Sequence, residues 1–152
     1  MSNDKKPSLE DDELFMRQAL REAEAAYSED EVPIGAVVVC GGLVVARAHN
    51  QTERLRDVTA HAEMIAFTAA ANTLGTKYLP DCTLYVTVEP CPMCAGAAGW
   101  EQVGRIVYGA ADPKKGFSLI GNAMLHPRTK VLGGVLEQEC SQLMKDFFKK
   151  KR

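Results

Sequence analysis

The sequence TLYVTVEPCPMC, residues 83–94, contains a strand pattern followed by a helix pattern, and it gives the clearest indication of the fold class. Its first half, residues 83–88, is rich in β-branched and aromatic side chains and predicts a strand. Pro90 and Pro92 end that strand. Pro92 also suits the first turn of a helix, because N–H groups in that turn have no acceptor within the helix. The residues that follow, 93–100, are compatible with a helix. A strand that leads directly into a helix is typical of an α/β protein.

Strand and helix patterns continue on both sides of this stretch. The other predicted elements are a helix capped by Ser8 that ends before Ser28, a hairpin of strands at 34–39 and 43–48, a loop at 49–58, a helix at 60–74 capped by Thr59, strands at 105–108 and 130–135, a loop at 112–129 and a helix at 136–150. The β-α-β-α-β order in the middle predicts parallel strands with right-handed crossovers. We therefore expect an α/β fold with three α/β/α layers, in which helices flank a central mixed sheet of about five strands.

Length and composition indicate one ordinary globular domain. The 152 residues suit a single domain, 1–152, whose first residues, 1–7, form a frayed tail. The formal net charge is −2, so nucleic-acid contacts would need a local basic patch or a partner subunit. No apolar run reaches the roughly 18 residues of a membrane span. The polar N-terminus resembles no secretory signal, which predicts a cytoplasmic protein.

Four residues predict a metal centre with a proton-transfer group beside it. Cys91 and Cys94 form a CxxC pair, which in a chain with an odd cysteine count favours metal or redox chemistry over disulfides. With His61 they make the nitrogen and sulfur set that zinc prefers. A helix turns about 100° per residue, so His61 and Glu63 reach one ion only if it lies beyond the helix tip. The pattern predicts two helix N-termini that converge on one zinc ion.

The nature of this centre depends on a fourth ligand. A CxxC pair alone is also typical of structural zinc or of a redox pair, and a structural site needs four protein ligands. The side chains that could supply the fourth are Cys82, Cys140, His49 and His126. None of them lies in a second CxxC or HxxxH pattern. Three protein ligands and a non-ligand carboxylate, Glu63, are the pattern of a catalytic site.

Several further segments carry a family resemblance. They are VPIGAVVV (32–39), HN (49–50), TAHAEMIAF (59–67), LYVTVEPCPMCAGA (84–97), RIVYGA (105–110) and ECSQLMKDFFKKKR (139–152). The chain resembles the cytidine deaminase-like superfamily, whose signature is H-x-E followed by P-C-x-x-C. Within it, the chain resembles the bacterial tRNA-specific adenosine deaminases. That resemblance implies the cytidine deaminase-like fold, a homodimer with one zinc ion per subunit, and conversion of a wobble adenosine in a tRNA anticodon stem-loop to inosine with release of ammonia.

The resemblance also implies which residues contact the substrate. Asn50 would hydrogen-bond the flipped base and Asp112 the backbone of the anticodon loop, while Ala62 and Phe148 complete the set. Without the resemblance, Asn50 and Asp112 would be interpreted as turn residues. Phe148 belongs to the tail FFKKKR, residues 147–152, in which aromatic rings can stack on bases and cations can neutralise phosphates. The same cations would also complement a helix dipole.

Two alternatives remain open from the sequence. The chain could deaminate free guanine or cytosine, because those deaminases share the zinc motifs. It could also be a zinc-stabilised interaction module without turnover, although Glu63 argues against that class. Residues 98–102 (AGWEQ) and 116–121 depart from the family pattern, which bears on substrate contacts and subunit packing. Trp100, within the first of these segments, is predicted to lie either in the core or in a dimer face.

Overall fold

Five helices and five strands make up residues 7–151, the part of the chain that this computed structural model describes. The helices are α1 (Leu9–Ser28), α2 (Thr52–Leu55), α3 (Ala62–Leu74), α4 (Pro92–Glu101) and α5 (Glu137–Lys150). The strands are β1 (Gly35–Cys40), β2 (Leu43–His49), β3 (Cys82–Val88), β4 (Arg105–Ala110) and β5 (Lys130–Leu132). Residues 1–6 of the predicted tail and Arg152 lie outside the described part.

The five strands form one mixed sheet in the order β2-β1-β3-β4-β5. Strand β1 pairs antiparallel with both β2 and β3, whereas β3, β4 and β5 are parallel. The predicted mixed sheet is therefore confirmed, and β2, β3 and β4 run in one direction. Strand β1 nevertheless lies between β2 and β3. The element order alone did not predict that position.

A two-residue turn at Gly41 and Gly42 closes the predicted hairpin. Both glycines have positive φ angles, 59° and 78°. A tight hairpin turn needs left-handed backbone at both central positions, because that geometry matches the twist of the two strands. The turn brings Leu43 opposite Cys40 and starts the β1–β2 register. The Gly-Gly pair thus sets the register of the residues next to the turn, and that register shifts between Val38 and Val39.

Helices cover both faces of the sheet, as predicted. Two core clusters lie on opposite faces because successive strand residues point to opposite sides. One cluster includes Phe67, Leu84, Val86, Ala95 and Ile106 and lies under α3 and α4. The other includes Met16, Leu20, Val37, Tyr85 and Cys140 and lies under α1 and α5. The three-layer α/β/α architecture is confirmed.

A buried ion pair fastens α1 to the sheet. The helix begins with a capping box in which Ser8 and Asp11 exchange side-chain and backbone hydrogen bonds. The next residue, Asp12, is buried and accepts two 2.7 Å bonds from the Arg105 guanidinium. Its Oδ1 atom also accepts a 2.7 Å bond from the Tyr85 hydroxyl. The carboxylate therefore links α1 to both β3 and β4.

The structure corrects the predicted start of α3. The helix begins at Ala62 rather than residue 60, and His61 is the residue that precedes it in extended conformation. The predicted cap, Thr59, uses its hydroxyl elsewhere, since both its N–H and its hydroxyl donate to Asp57 Oδ1, at 2.8 and 2.7 Å. When an aspartate side chain binds the backbone N–H two residues later, it stabilises a turn that competes with the start of a helix. His61 therefore lies just outside the helix and Glu63 just inside it.

Other boundaries also differ from the prediction. The predicted loop 49–58 contains α2, whose first backbone N–H groups bond a buried carboxylate, that of Glu31. The last strand ends at Leu132 instead of residue 135, and α5 starts one residue later than predicted because Leu136 has left-handed backbone. A 3₁₀ turn, Phe117–Leu119, interrupts the loop after β4. Within residues 7–151, no helix combines the length and apolar character needed to cross a membrane.

Candidate active site

Two helix N-termini meet at one end of the sheet, as the spacing predicted. His61 precedes α3 and Cys91 precedes α4, both in extended conformation. Strand β3 leads into Cys91, so the sheet fixes the position of α4. The loop after β2 is tied to the start of α3 by a 3.0 Å bond from the Gln51 N–H to the Ala60 carbonyl. The backbone N–H groups of both first turns are therefore directed toward a common region.

His61, Cys91 and Cys94 form a compact group of metal-binding atoms. The His61 Nδ1 atom lies 3.6 Å from Cys91 Sγ and 3.5 Å from Cys94 Sγ. All three ligand atoms lie within 4.8 Å of one another. One imidazole nitrogen and two sulfurs match the donors that zinc prefers in proteins. The group is therefore compatible with a metal site.

The predicted fourth ligands do not join this group among residues 7–151. His49 contacts the carboxylates of Glu22 and Glu29, and His126 accepts the Arg128 N–H. Cys82 lies opposite Cys40 in the sheet. Cys140 is buried in the core cluster under α1 and α5. Three protein donors with an open fourth position favour a catalytic centre over a closed structural one.

Electrostatics within the group favour thiolate at Cys91. The side-chain hydrogen bond from Cys94, followed by the His61 ring and the Cys94 backbone N–H, lowers the Cys91 pKa to about 4. That backbone N–H belongs to the first turn of α4, where a helix stabilises negative charge. The hydrogen bond to Cys91 raises the pKa of His61, and the nearby Lys115 ammonium opposes that rise. Lys115 therefore lies within electrostatic reach of the group.

Glu63 lies beside the metal-binding group without belonging to it. Its side chain is 4% exposed, and burial raises the pKa of its carboxyl to about 7. His61 and Cys91 act on this carboxyl through their charges, and Cys94 through a hydrogen bond. A carboxyl group with a pKa near neutrality can both accept and return a proton. This is the position that the sequence predicted for the proton-transfer group.

Two predicted substrate contacts lie near the helix starts. Ala62 is the first residue of α3 and is fully buried. Asn50 is also buried, and its side chain donates to the Val32 carbonyl and accepts from the Thr52 N–H, both at 3.4 Å. Both distances lie at the long end of the hydrogen-bond range. The roles of Ala62 and Asn50 stay predictions.

The other two predicted contacts have structural partners of their own. The Asp112 Oδ1 atom accepts the N–H groups of Lys114 and Lys115, both at 3.0 Å. Phe148 is partly exposed, and its ring meets the Phe147 ring edge-on at 5.3 Å. The interpretation of Asp112 as a turn residue is thus confirmed. Its contact with substrate and that of Phe148 stay predictions.

The lysines of the tail are not simply free cations. Lys151 pairs with Asp30 at 2.5 Å, and the Lys150 ammonium lies 4.0 Å from the centre of the Tyr27 ring. The C-terminal end of α5 is thereby held against the end of α1. If Lys150 and Lys151 bound a substrate, they would first have to leave their contacts with Asp30. Lys149 is exposed on the same turn.

Sequence reasoning missed two buried glutamates that hold loops around the site. The Glu31 carboxylate accepts the N–H groups of Glu53 and Arg54, at 3.0 and 2.7 Å. Glu89 does the same for the loop after β4. The only signal for Glu89 was a carboxylate placed directly between a buried strand and the PC motif. Nothing comparable marks Glu31, which lies in an acidic run, SEDE, at residues 28–31.

Comparisons with known proteins point to one family. A family model described as MafB19-like deaminase matches residues 10–152. The tRNA-specific adenosine deaminase of Bacillus subtilis (strain 168) is 46% identical over 146 residues, which cover 93% of this chain and 91% of that protein. A solved structure from studies of A-to-I editing by tRNA:A34 deaminases is 44% identical with a TM-score of 0.80 and covers 86% of this chain and 98% of that chain.

A more distant match has a different substrate in its name. The guanine deaminase of Bacillus subtilis is 38% identical with a TM-score of 0.62, covering 65% of this chain and 64% of that chain. The match to the tRNA:A34 deaminase therefore extends over more of the chain and superposes more closely. Both share the α/β architecture described above. On the extent of these matches, the chain belongs to the family of the tRNA-specific adenosine deaminases.

Proposed function

We propose that this protein is a zinc-dependent hydrolytic deaminase that converts the wobble adenosine of a tRNA anticodon to inosine and releases ammonia. The observation that carries the proposal is the His61–Cys91–Cys94 group with buried Glu63 beside it, at two converging helix N-termini. Family membership over nearly the whole chain supports the substrate. We further propose that residues 1–152 form a single deaminase domain.

His61 Nδ1, Cys91 Sγ and Cys94 Sγ would hold one zinc ion per subunit. When bound, zinc supplies Lewis-acid activation of the attacking water. The low pKa of Cys91 supports this role, because the thiolate is the form that binds metal. The first turns of α3 and α4 orient backbone N–H groups toward the same region and stabilise developing negative charge on the substrate.

Glu63 would move the protons of the reaction. Its carboxylate takes a proton from water, whose oxygen forms a bond to C6 of the adenine ring. Glu63 delivers this proton to the ring nitrogen N1. It then takes the second proton from the new hydroxyl group on C6 and passes it to the amine, and the C6–N bond breaks to release ammonia. Burial of Glu63 keeps bulk water away from the carboxyl during these transfers. Water is consumed, and inosine and ammonia are the products.

Substrate binding would use Asn50, Ala62, Asp112 and Phe148. A base within a duplex cannot reach the site, so the target must be unpaired, as in an anticodon loop. The loose hydrogen bonds of Asn50 and the half-exposed ring of Phe148 support contacts with a base. Lysines beside the site, including Lys115, would attract the phosphates. A tRNA substrate would place the enzyme in the cytoplasm.

We also propose a homodimer formed through α4. One side of this helix carries Met93, Gly96 and Trp100, which are three and four residues apart. Trp100 is 86% exposed, which rules out the core position considered from the sequence. Within residues 7–151, no atom lies within 4 Å of the position that a Cβ atom at Gly96 would take, so a second helix could come close there. Tryptophan is enriched in protein interfaces, and a second copy on this face would lie beside the site.

The substrate is tested by comparing an anticodon stem-loop carrying adenosine at the wobble position with free guanine and free cytosine. Ammonia release and inosine content after nuclease digestion are measured for each. We expect inosine in the stem-loop and no turnover of the free bases. A control stem-loop with guanosine at the wobble position should release no ammonia. Turnover of a free base alone would contradict the proposal and favour a guanine or cytosine deaminase.

A further inference from the structure

Glu89 is a buried carboxylate that no step of the proposed reaction uses. It lies between β3 and Pro90, its side chain is 5% exposed, and its oxygens face the loop that follows β4. Oε1 accepts the Asp112 N–H at 3.1 Å. Oε2 accepts the Ser118 N–H at 3.0 Å and the Ser118 hydroxyl at 2.6 Å. One carboxylate therefore ties down both ends of the loop 112–118.

Packing reinforces these hydrogen bonds. A Cβ atom at Gly116 would lie 2.3 Å from Glu89 Cδ, so the loop backbone rests directly on the carboxylate and a larger residue there would displace the Glu89 side chain. The Phe117 N–H donates to the Pro90 carbonyl at 2.9 Å, and the Phe117 side chain is buried in the core under α3 and α4. The loop is thus seated on residues 89–90, the segment that leads into Cys91.

The loop presents cations beside the candidate active site. The Asp112 side chain holds the backbone of Lys114 and Lys115, and both lysines are exposed. Because the loop is seated on Glu89 and Pro90, directly before Cys91 in the chain, it carries these lysines on the side of the metal-binding segment. Cations at the entrance to a site attract and orient phosphate groups. A shift of the loop would move these charges relative to His61 and Cys91.

We propose that Glu89 is a positioning residue that holds the loop 112–118 against the metal-binding segment, so that Lys114 and Lys115 meet the backbone of the RNA substrate. The inference rests on the proposed function. Both Glu89 oxygens accept N–H groups, and a glutamine would turn one acceptor into a donor that faces another donor. Glu89→Gln is therefore a nearly isosteric change that releases one end of the loop.

The first measurement needs no turnover. Hydrogen exchange followed by mass spectrometry would compare wild type, Glu89→Gln and the matched variant Asp12→Asn, whose buried carboxylate lies on the other face of the sheet. We expect exchange in peptides covering 112–118 to become on the order of tenfold faster in Glu89→Gln relative to the other peptides, whereas any acceleration in Asp12→Asn should extend over the whole protein. Unchanged exchange in this loop, or an equally selective acceleration of it in Asp12→Asn, would overturn the positioning role.

The second measurement separates positioning from plain stability. With the stem-loop as substrate, Glu89→Gln should raise KM by about five- to tenfold and change kcat less than threefold, because the metal group and Glu63 stay in place. Ser118→Ala should raise KM less, and the double variant should add little to Glu89→Gln. Asp12→Asn should leave KM unchanged. An unchanged KM in Glu89→Gln would refute the RNA contact.

Failure of the proposed function would be distinguishable from failure of this inference. A wild-type protein that does not convert the stem-loop would refute the function and, with it, the RNA contact of the two lysines. The exchange experiment would still decide whether Glu89 holds the loop. A loss of zinc from Glu89→Gln, measured by metal analysis, would overturn the assignment, because the residue would then support the metal ligands rather than the loop.

Discussion

At the scale of single residues, metal binding and proton transfer are assigned to different side chains. The cluster of ligand atoms contains His61, Cys91 and Cys94 but not the Glu63 carboxylate. Burial keeps that carboxyl at a pKa of about 7, so its proton affinity is close to that needed near neutral pH. The division is possible because His61 precedes α3 and Glu63 lies within its first turn. Local spacing of this kind is visible in the sequence.

Glu63→Gln should abolish most activity and leave the metal in place. Glutamine keeps the size of the side chain but cannot accept and return a proton. Loss of a general base lowers rates by roughly 10²- to 10⁴-fold, and we expect kcat for the stem-loop to fall within that range. Metal analysis should still find one zinc per subunit. The matched control is Glu24→Gln, an exposed glutamate on α1, which should retain wild-type kcat. A zinc-loaded Glu63→Gln protein with the wild-type rate would exclude the assigned role.

Asp12→Asn should destabilise the protein without affecting substrate binding. Asp12 is buried, and the Arg105 side chain that it binds is only 20% exposed. Removal of the Asp12 charge therefore leaves the Arg105 guanidinium unpaired, with little access to water. Breaking such a pair costs about 3 kcal/mol in free energy of unfolding. Urea denaturation measures the loss. Asp30→Asn removes the exposed pair with Lys151 and should have little effect. Equal stability of the two variants would contradict the structural role of the buried pair.

Helices and strands show which parts of the molecule local sequence could predict. The hairpin, the two converging helix starts and the order of the elements apart from α2 were predicted, because their signals lie in local sequence patterns. The cap at Thr59 was wrong because the Asp57 side chain takes its hydroxyl. The anchoring roles of Glu31 and Glu89 depend on partners between 22 and 29 residues away in the chain. No local pattern specifies which loop a buried carboxylate will bind.

Removal of the metal should separate catalysis from folding at the level of α3 and α4. Both helices bury apolar faces against the sheet, so their position does not depend on the metal alone. Dialysis against a zinc chelator such as dipicolinate should abolish deamination but preserve the far-ultraviolet circular dichroism spectrum. Added zinc should restore activity. If the chelated protein loses its helical signal and its cooperative unfolding transition, the centre is structural, as in a zinc-stabilised interaction module.

The arrangement of the whole molecule leaves one side of α4 without a partner among residues 7–151. Helices α3 and α4 lie on the same face of the sheet and their starts form the metal-binding group. Since α4 begins directly after Cys91 and ends one residue after Trp100, a surface along this helix connects the site to any molecule bound there. The sequence did not predict the position of β1 in the sheet and left two positions open for Trp100, because both depend on how distant segments pack.

Trp100→Glu should therefore convert a dimer into a monomer. A large aromatic residue at the centre of an interface contributes strongly to affinity, and a buried charge in its place is unfavourable. Sedimentation velocity over a range of concentrations should show a wild-type dimer and, for Trp100→Glu, a dissociation constant raised on the order of 30-fold or more. Leu43→Glu is the matched control, because Leu43 is 71% exposed at the hairpin, away from α4, and should leave the dimer intact. A monomeric wild type, or equal dissociation of both variants, would show that α4 does not form the contact between subunits.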